Sequence, residues 1–468
     1  MLILTFLLGS ILPNASANSL SLAEYLEQVT RQSPAVASSL QTIEGTLQSS
    51  QEGDLITMPK FTWQGSITRD ERQQMSNFFG GKTHANSMTF GLEKQFDFGL
   101  NAKVSYNLLN NVTTDLTPLV YPNGENDYTS AQSELDLTLP LWRNFLGRET
   151  KASEAVATEG SLSNHYAERF HLKQLVAQAE GVYYHLAIAQ ETVQLLTDVL
   201  DRAKKIMDWN TKRVNQHLTD RVDQLQAQAV YQGRRLDLQN GLDDQRNAQL
   251  AFNTLRNKDS SEVSETLKPV SGLDLLTLAP PVRAAVTDDV KAAEATERKA
   301  NADNELSLQK AQPDFSLFTN IGYNGLARFE LTAVNNSFTT NHPLYVVGAK
   351  LSFPLYFWET SEIRSGRVKQ QFAAEALMRE KKLESETNGS DLYKKFDEIK
   401  NRLRLAEELV RLQDEKLKYE RYRFNLGRTT TYQVLTFEQD YAQALISKLQ
   451  IEQQLLAVYS QLKTYSEN

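Results

Sequence analysis

The chain predicts a mainly helical fold with a minor β component, in which long antiparallel coiled-coil helices and short strands are laid down twice in the same order. Three observations predict it. A heptad seam lies inside a helical segment of about 65 residues, a length far beyond the three or four turns of an ordinary globular helix. Other segments alternate apolar and polar residues with a period of two, as strands do. The ordered series of helix, strands, long helix, turn and shorter helix then occurs a second time, which is the mark of an internal twofold repeat.

The seam lies in a helix expected from Glu149 to about Arg213. Leu172, Leu175, Ala179, Val182, Leu186, Ala189, Val193, Leu196, Leu200, Ala203 and Met207 recur there at alternating spacings of three and four, the pattern of helix packed on helix. Alanine at every third or fourth seam position lets neighbouring backbones come close. A rod of roughly 100 Å needs partners of matching length. Two shorter helices placed end to end, Leu20 to Gly53 and Arg221 to Leu255, cover about the same span.

Taken in order, the first helix has Ser19 or Ser21 as its cap and Pro34 as a kink or restart. From Pro59 the period becomes two: Phe61, Trp63, Gly65 and Ile67 alternate with Lys60, Thr62, Gln64 and Ser66. Arg69 to Asn86 is polar and reads as a loop. Met88, Phe90 and Leu92 lead to a tight turn at Phe96-Asp97-Phe98-Gly99 and back through Ala102 to Leu109, an extra hairpin. After a second polar loop, Leu135, Leu137, Leu139 and Leu141 form the clearest strand and run into the long helix. A turn is expected around Asn215 to Asp220, and 261–282, with Pro269, Gly272 and Pro280-Pro281, reads as a linker.

The series then restarts. A helix from Arg283 to Ala311 leads into Phe315, Leu317, Thr319, Ile321 and Tyr323, a loop over Gly325 to His342, and the return strand Val347 to Leu355. A second long helix, Glu359 to about Tyr422, has Leu392, Phe396, Ile399, Leu403, Ala406, Val410 and Leu417 on its seam. Arg423, Asn425 and Leu435 repeat Arg213, Asn215 and Leu225. The expected organisation is therefore a first repeat over 18–260 with strands in 59–142, the linker 261–282, and a second repeat over 283–468 with strands in 313–357.

Composition narrows the function classes. The 468 residues carry a net charge of −8, with 50 basic and 58 acidic side chains mixed throughout, so no nucleic-acid partner is expected. With no cysteine there is no disulfide framework, thiol nucleophile or thiolate metal site. The six histidines (His84, His165, His171, His185, His217 and His342) lack ligand spacing such as HExxH, so no metal site is expected. Glycines fall singly and carboxylates lie scattered as solvated helix-surface charge. Neither enzyme chemistry nor a cofactor is expected.

Met1 to Leu12 is apolar and Ala15-Ser16-Ala17 fits the small-x-small rule, so 1–17 reads as a secretory signal with Asn18 as the first mature residue. The usual positive start is missing, and a buried N-terminal helix is the competing reading. Beyond Leu12 no apolar run reaches the length of about 18 residues that a spanning helix needs. A membrane passage then falls to the strands, whose apolar faces carry Phe61, Trp63, Phe90, Phe315, Tyr323, Leu351 and Phe353. Trp142 and Trp358 lie near strand ends, and Gln64, Glu134, Thr138, Asn320 and Lys350 occupy the opposite faces. So few strands cannot close alone, and hydrocarbon tolerates no open sheet edge, so copies from other chains must complete a barrel. A soluble β-sandwich layer is the alternative.

The ordering resembles the TolC family of outer-membrane efflux proteins across nearly the whole mature chain. Ser19-Leu20-Ser21-Leu22-Ala23-Glu24-Tyr25-Leu26 with Ser33-Pro34 resembles its opening helix. Leu139-Pro140-Leu141-Trp142-Arg143-Asn144-Phe145 resembles its exit from strand to long helix, and Phe424-Asn425-Leu426-Gly427-Arg428-Thr429 before Val434-Leu435 its second inter-helix turn. The resemblance implies a homotrimer sharing one outer-membrane β-barrel of twelve strands, with a helical tunnel through the periplasm. It also implies two partners, a periplasmic adaptor and an inner-membrane transporter of the RND or ABC type. Six strands per chain would make a larger barrel or leave the extra hairpin outside.

The two inter-helix turns correspond to the family's periplasmic aperture. Asp223 matches an acidic residue of its closing network; a helix-start charge favoured by the dipole is the bland alternative. Gln433 and Thr436 stand where carboxylates occur, Thr429 stands at the usual partner arginine, and Arg428 lies one residue earlier. Leu218 and Gly427 match adaptor-facing positions, although His217 replaces the first turn's glycine. The expectation is an outer-membrane exit duct of a tripartite efflux or type I secretion system, opened at its periplasmic tip. The competing class is a periplasmic coiled-coil adaptor or scaffold without a barrel.

Overall fold

The computed structural model describes residues 19–72, 82–117, 121–217, 220–260, 262–270, 275–353, 355 and 357–467. The signal-peptide reading of 1–17 falls outside them. The elements come in two runs of the same kind. The first is α1 (Leu22–Gln32), α2 (Pro34–Ser49), a 3-10 segment (Ser50–Ile56), β1 (Lys60–Asp70), β2 (Lys82–Gln95), β3 (Asn101–Thr114), β4 (Asn126–Pro140), α3 (Arg148–Asn215) and α4 (Arg221–Leu255). The second is α5 (Asp288–Lys310), β5 (Asp314–Ala327), α6 (Glu330–Ser337), β6 (Pro343–Ser352), α7 (Phe357–Asn425) and α8 (Thr431–Leu462). The chain folds into two compact units. A helical unit combines residues through Ile43 with Tyr166–Val290 and Lys382 onward, and a sheet unit combines Glu44–His165 with Lys291–Lys381.

In the helical unit the seams are the core. Ala179, Leu186, Ala189, Leu196 and Ala203 of α3 are buried, as are Phe396, Ile399, Leu403, Ala406 and Leu417 of α7. Each fully buried Leu or Phe contributes about 1.5–3 kcal/mol from removal of apolar surface from water. Tyr25 of α1 stacks on Phe252 of α4 at 4.1 Å between ring centres, and Arg256 lies over the Phe252 ring at 4.4 Å. Ser21, rather than Ser19, caps α1 in a reciprocal box with Glu24. Pro34 restarts the helix instead of kinking it, so the expected single helix is two helices and a 3-10 turn. The connector is no free tether: Leu267, Val270 and Leu275 are buried, and the backbone N–H of Val270 donates to Glu191.

In the sheet unit the six strands form one antiparallel sheet in the order β1-β2-β3-β4-β5-β6. The extra hairpin, β2 with β3, is therefore inserted within the sheet. Register sorts the faces. Phe61, Leu92, Val104, Leu135, Ile321 and Tyr345 form one cross-strand row, and Trp63, Phe90, Tyr106, Ser133 and Tyr323 the next on the same face. The other face carries Lys60, Glu93, Lys103, Asp136 and Asn320 in one row, with opposite charges alternating. Asn320 donates to Asp136 at 2.5 Å.

Three sequence expectations are corrected here. The polar stretch after Arg69 is partly strand, because Lys82 to Asn86 pair with Asn110 to Thr114 of β3. The stretch Gly325 to His342 contains α6. The helix expected from Arg283 begins at Asp288, since Arg283 bridges to Ser466 and the N–H of Ala284 donates to the Tyr465 carbonyl at 2.9 Å.

The strand-to-helix exit is built by the motif that marks it. Arg143 grips Glu149 through two hydrogen bonds of 2.7 Å, and the Asn144 side chain accepts the Thr150 N–H at 3.0 Å, capping the start of α3. Gly147, at φ +75°, cannot be replaced without collision: a Cβ there would lie 1.7 Å from the Asp97 carbonyl of the β2–β3 turn.

Candidate functional site at the inter-helix turns

Both turns belong to the helical unit. The second ends α7 in a Schellman motif: Gly427, at φ +69°, donates its N–H to the Phe424 carbonyl at 2.9 Å, and Arg428 donates to Arg423 at 2.9 Å. At the first turn a histidine takes the place of the glycine. His217 sits at φ 58° and donates to the Val214 carbonyl at 2.9 Å. Leu218 lies outside the described residues.

A polar network holds the second turn from below. The Glu420 carboxylate, nearly buried on α7, takes a hydrogen bond from Arg423 at 3.1 Å and one from the Thr429 hydroxyl. Arg423 also donates to the Arg428 carbonyl at 3.3 Å. The side-chain oxygen of Gln433 lies within hydrogen-bond reach of the same Thr429 hydroxyl and shares its single proton with Glu420. Thr430 caps α8 by accepting the Gln433 N–H at 3.4 Å.

A second set of contacts ties this turn to the end of α3. Thr431 donates to Asn210 at 3.2 Å, both buried. Trp209 packs on Phe424 at 4.9 Å, and Arg213 covers the Trp209 ring at 4.6 Å. Two turns further along α8, Glu438 joins Arg202 of α3 at 3.1 Å and Arg421 of α7.

The expected site residues thus divide. Thr429 and Gln433 meet in the network. Arg428 contributes its carbonyl, while its guanidinium is exposed. Thr436 turns back to the Tyr432 carbonyl at 3.0 Å. Asp223 is half-buried in the first turn of α4. Gly427 is exposed at the turn apex. Sequence reasoning missed Glu420 and Arg423, the centre of the network. The signal was present: Asn210 and Arg213 hold the same spacing before the first turn, and Asn210 is likewise a buried partner of a threonine. Among the described residues no His, Asp or Glu cluster is arranged to hold a metal ion, and no helix is long and apolar enough to cross a membrane.

Residues 285–466 match the family model of the outer membrane efflux protein. The chain's fold is that of solved outer-membrane channels. VceC of Vibrio cholerae is similar at a TM-score of 0.64 and 14% identity, over 96% of this chain and 97% of that one. The CmeC channel of Campylobacter jejuni gives 0.62 at 12% identity, over 95% and 85%. The open-state MtrE channel of Neisseria gonorrhoeae gives 0.62 at 14% identity, over 95% and 88%. No curated protein sequence matches the chain. The matched residues lie in the second repeat, and the solved structures that share the fold are named as outer-membrane proteins and channels.

Proposed function

We propose that this protein is an outer-membrane efflux protein, the passive exit duct of a tripartite efflux or type I secretion system, opened at its periplasmic turns. The observation that carries the reading is the sheet: six strands, one face apolar and one polar, with both outer strands exposed along almost their whole length. Such a sheet in lipid must be closed by further copies. β1 and β6 run in opposite directions within the sheet, so β6 of one copy meets β1 of the next with antiparallel polarity and the faces in phase. A homotrimer then shares eighteen strands, the size at which a barrel leaves an aqueous channel. The polar row from Lys60 to Asn320 lines it.

The proposed partners are a periplasmic adaptor that engages the exposed turn at Gly427, with Leu218 as its counterpart, and an inner-membrane RND or ABC transporter. The aperture is held by the second-turn network, with Asp223 on the neighbouring helix start. Opening requires the contacts of Glu420, Thr429 and Gln433 to separate, a discrete rearrangement of helix ends. Protein extracted from outer membranes in detergent should run as a heat-modifiable trimer and form channels in planar bilayers. Glu420→Ala should raise the closed-state conductance. A water-soluble monomer without channel activity would overturn the duct reading; unchanged conductance in the variant would overturn the gate alone.

A further inference from the structure

The helix α6, in the β5–β6 connection, packs on the apolar face of the sheet. Gly325 leaves it room, since a Cβ there would lie 2.0 Å from the Ala333 carbonyl. Ser133 donates to the Ser337 carbonyl at 3.2 Å, the Tyr106 hydroxyl meets the Ser337 hydroxyl at 3.2 Å, and the Tyr106 ring stacks on Phe338 at 5.6 Å. Ala333 and Ser337 are fully buried, whereas Phe329, Leu331 and Phe338 are 73%, 73% and 71% exposed. Three large apolar side chains therefore point away from the protein beside Glu330, Thr332 and Asn335, which are also exposed.

The sheet says what covers them. On β1 and β2 the row at this level is Trp63 with Phe90, followed by Gly65 with Met88. On β4 and β5 the corresponding positions are Ser133 with Tyr323 and Ala131 with Gly325, which, Tyr323 apart, are too small to reach outward. In the next row Ile67 continues the apolar band on β1, while Asn86, Asn110 and Thr129 end it on β2 to β4. The helix thus sits where the band loses its large side chains, at the end of the strands away from the starts of α3 and α7, and it restores them. An apolar rim carried by a short amphipathic helix, with polar groups beside it, fits the boundary between hydrocarbon and headgroups.

We propose that α6 is a membrane-surface helix fixed to the outer wall of the barrel, inserting Phe329, Leu331 and Phe338 into the outer leaflet and completing the aromatic girdle over β3 to β5. The proposal rests on the membrane-barrel reading, and the test separates the two. The absence of cysteine allows single nitroxide labels at Leu331→Cys, Asn335→Cys and Val347→Cys in the full-length protein, reconstituted in phosphatidylcholine vesicles. Collision with oxygen is compared with collision with a water-soluble nickel chelate. Labels at 331 and 347 should favour oxygen several-fold, with 331 shallower, and the label at 335 should favour the chelate. Gly325→Leu should release the helix, making the label at 331 mobile and water-accessible while the one at 347 is unchanged. A lipid-exposed 347 with a chelate-accessible 331, or a 331 closed to both reagents as in a protein contact, would overturn the proposal. A water-accessible 347 would overturn the barrel reading itself.

Discussion

His217 and Gly427 hold the same left-handed backbone position in the two turns, but only glycine does so without crowding its Cβ against the carbonyl. His217→Gly should therefore stabilise the protein by about 1 kcal/mol, read as a shift of the denaturant midpoint without a change in slope. Glu452 of α8 offers a pH test. Burial pushes its carboxyl above the ordinary 4.5, against the pull of Lys448 at 3.3 Å, and one of its oxygens has no hydrogen-bond partner. The folded chain therefore holds this proton more tightly than the unfolded chain. The favourable contribution is complete below pH 4.5 and is lost as pH rises through the folded value. Glu452→Gln, which keeps the neutral form, should raise the melting temperature at neutral pH, and the gain should vanish toward pH 4.

At the scale of elements, Glu438 links three helices near the turns through Arg202 and Arg421. Both arginines are partly exposed, so Glu438→Ala should cost about 1–3 kcal/mol, seen in thermal unfolding and in faster proteolysis at the turns. The seams of α3 and α7 were legible because burial repeats every three and four residues. The strand from Leu135 to Leu141 was legible because one of its faces is apolar. The start of β2 was not, since Lys82 to Asn86 lie above the apolar band, where both faces are polar and pairing with β3 alone makes a strand. α6 was hidden for a related reason: eight residues are too few to show a helical period. Its bed, Ala131 and Gly325, reads as ordinary small residues until the register aligns them. Glu420 was passed over as one solvated carboxylate among many, because only the folded turn buries it.

At the scale of the whole molecule, the hairpin β2–β3 decides the width of the channel. The family resemblance implies twelve strands for three copies, whereas a continuous sheet of six strands per chain leads to eighteen. In the smaller barrel the hairpin is expelled, and β1 must pair with β4 of its own chain. In the larger one β1 keeps β2 as its neighbour, with Gln64 opposite Thr89, and its free edge meets β6 of the adjacent copy. Paired cysteines distinguish the two, because directly opposed strand residues bring their Cβ atoms within about 4.5–5.5 Å. Gln64→Cys with Thr89→Cys should join within one chain on oxidation. A set combining cysteine at Thr62, Gln64 or Ser66 with cysteine at Leu344, Val346 or Gly348, all on the polar face, should contain at least one pair that yields covalent trimers. Joining of Gln64→Cys to Gln132→Cys within a chain, in place of joining to Thr89→Cys, would mean that the hairpin lies outside a twelve-stranded wall, whereas the absence of any inter-chain product across the set would mean that copies do not close the sheet at all.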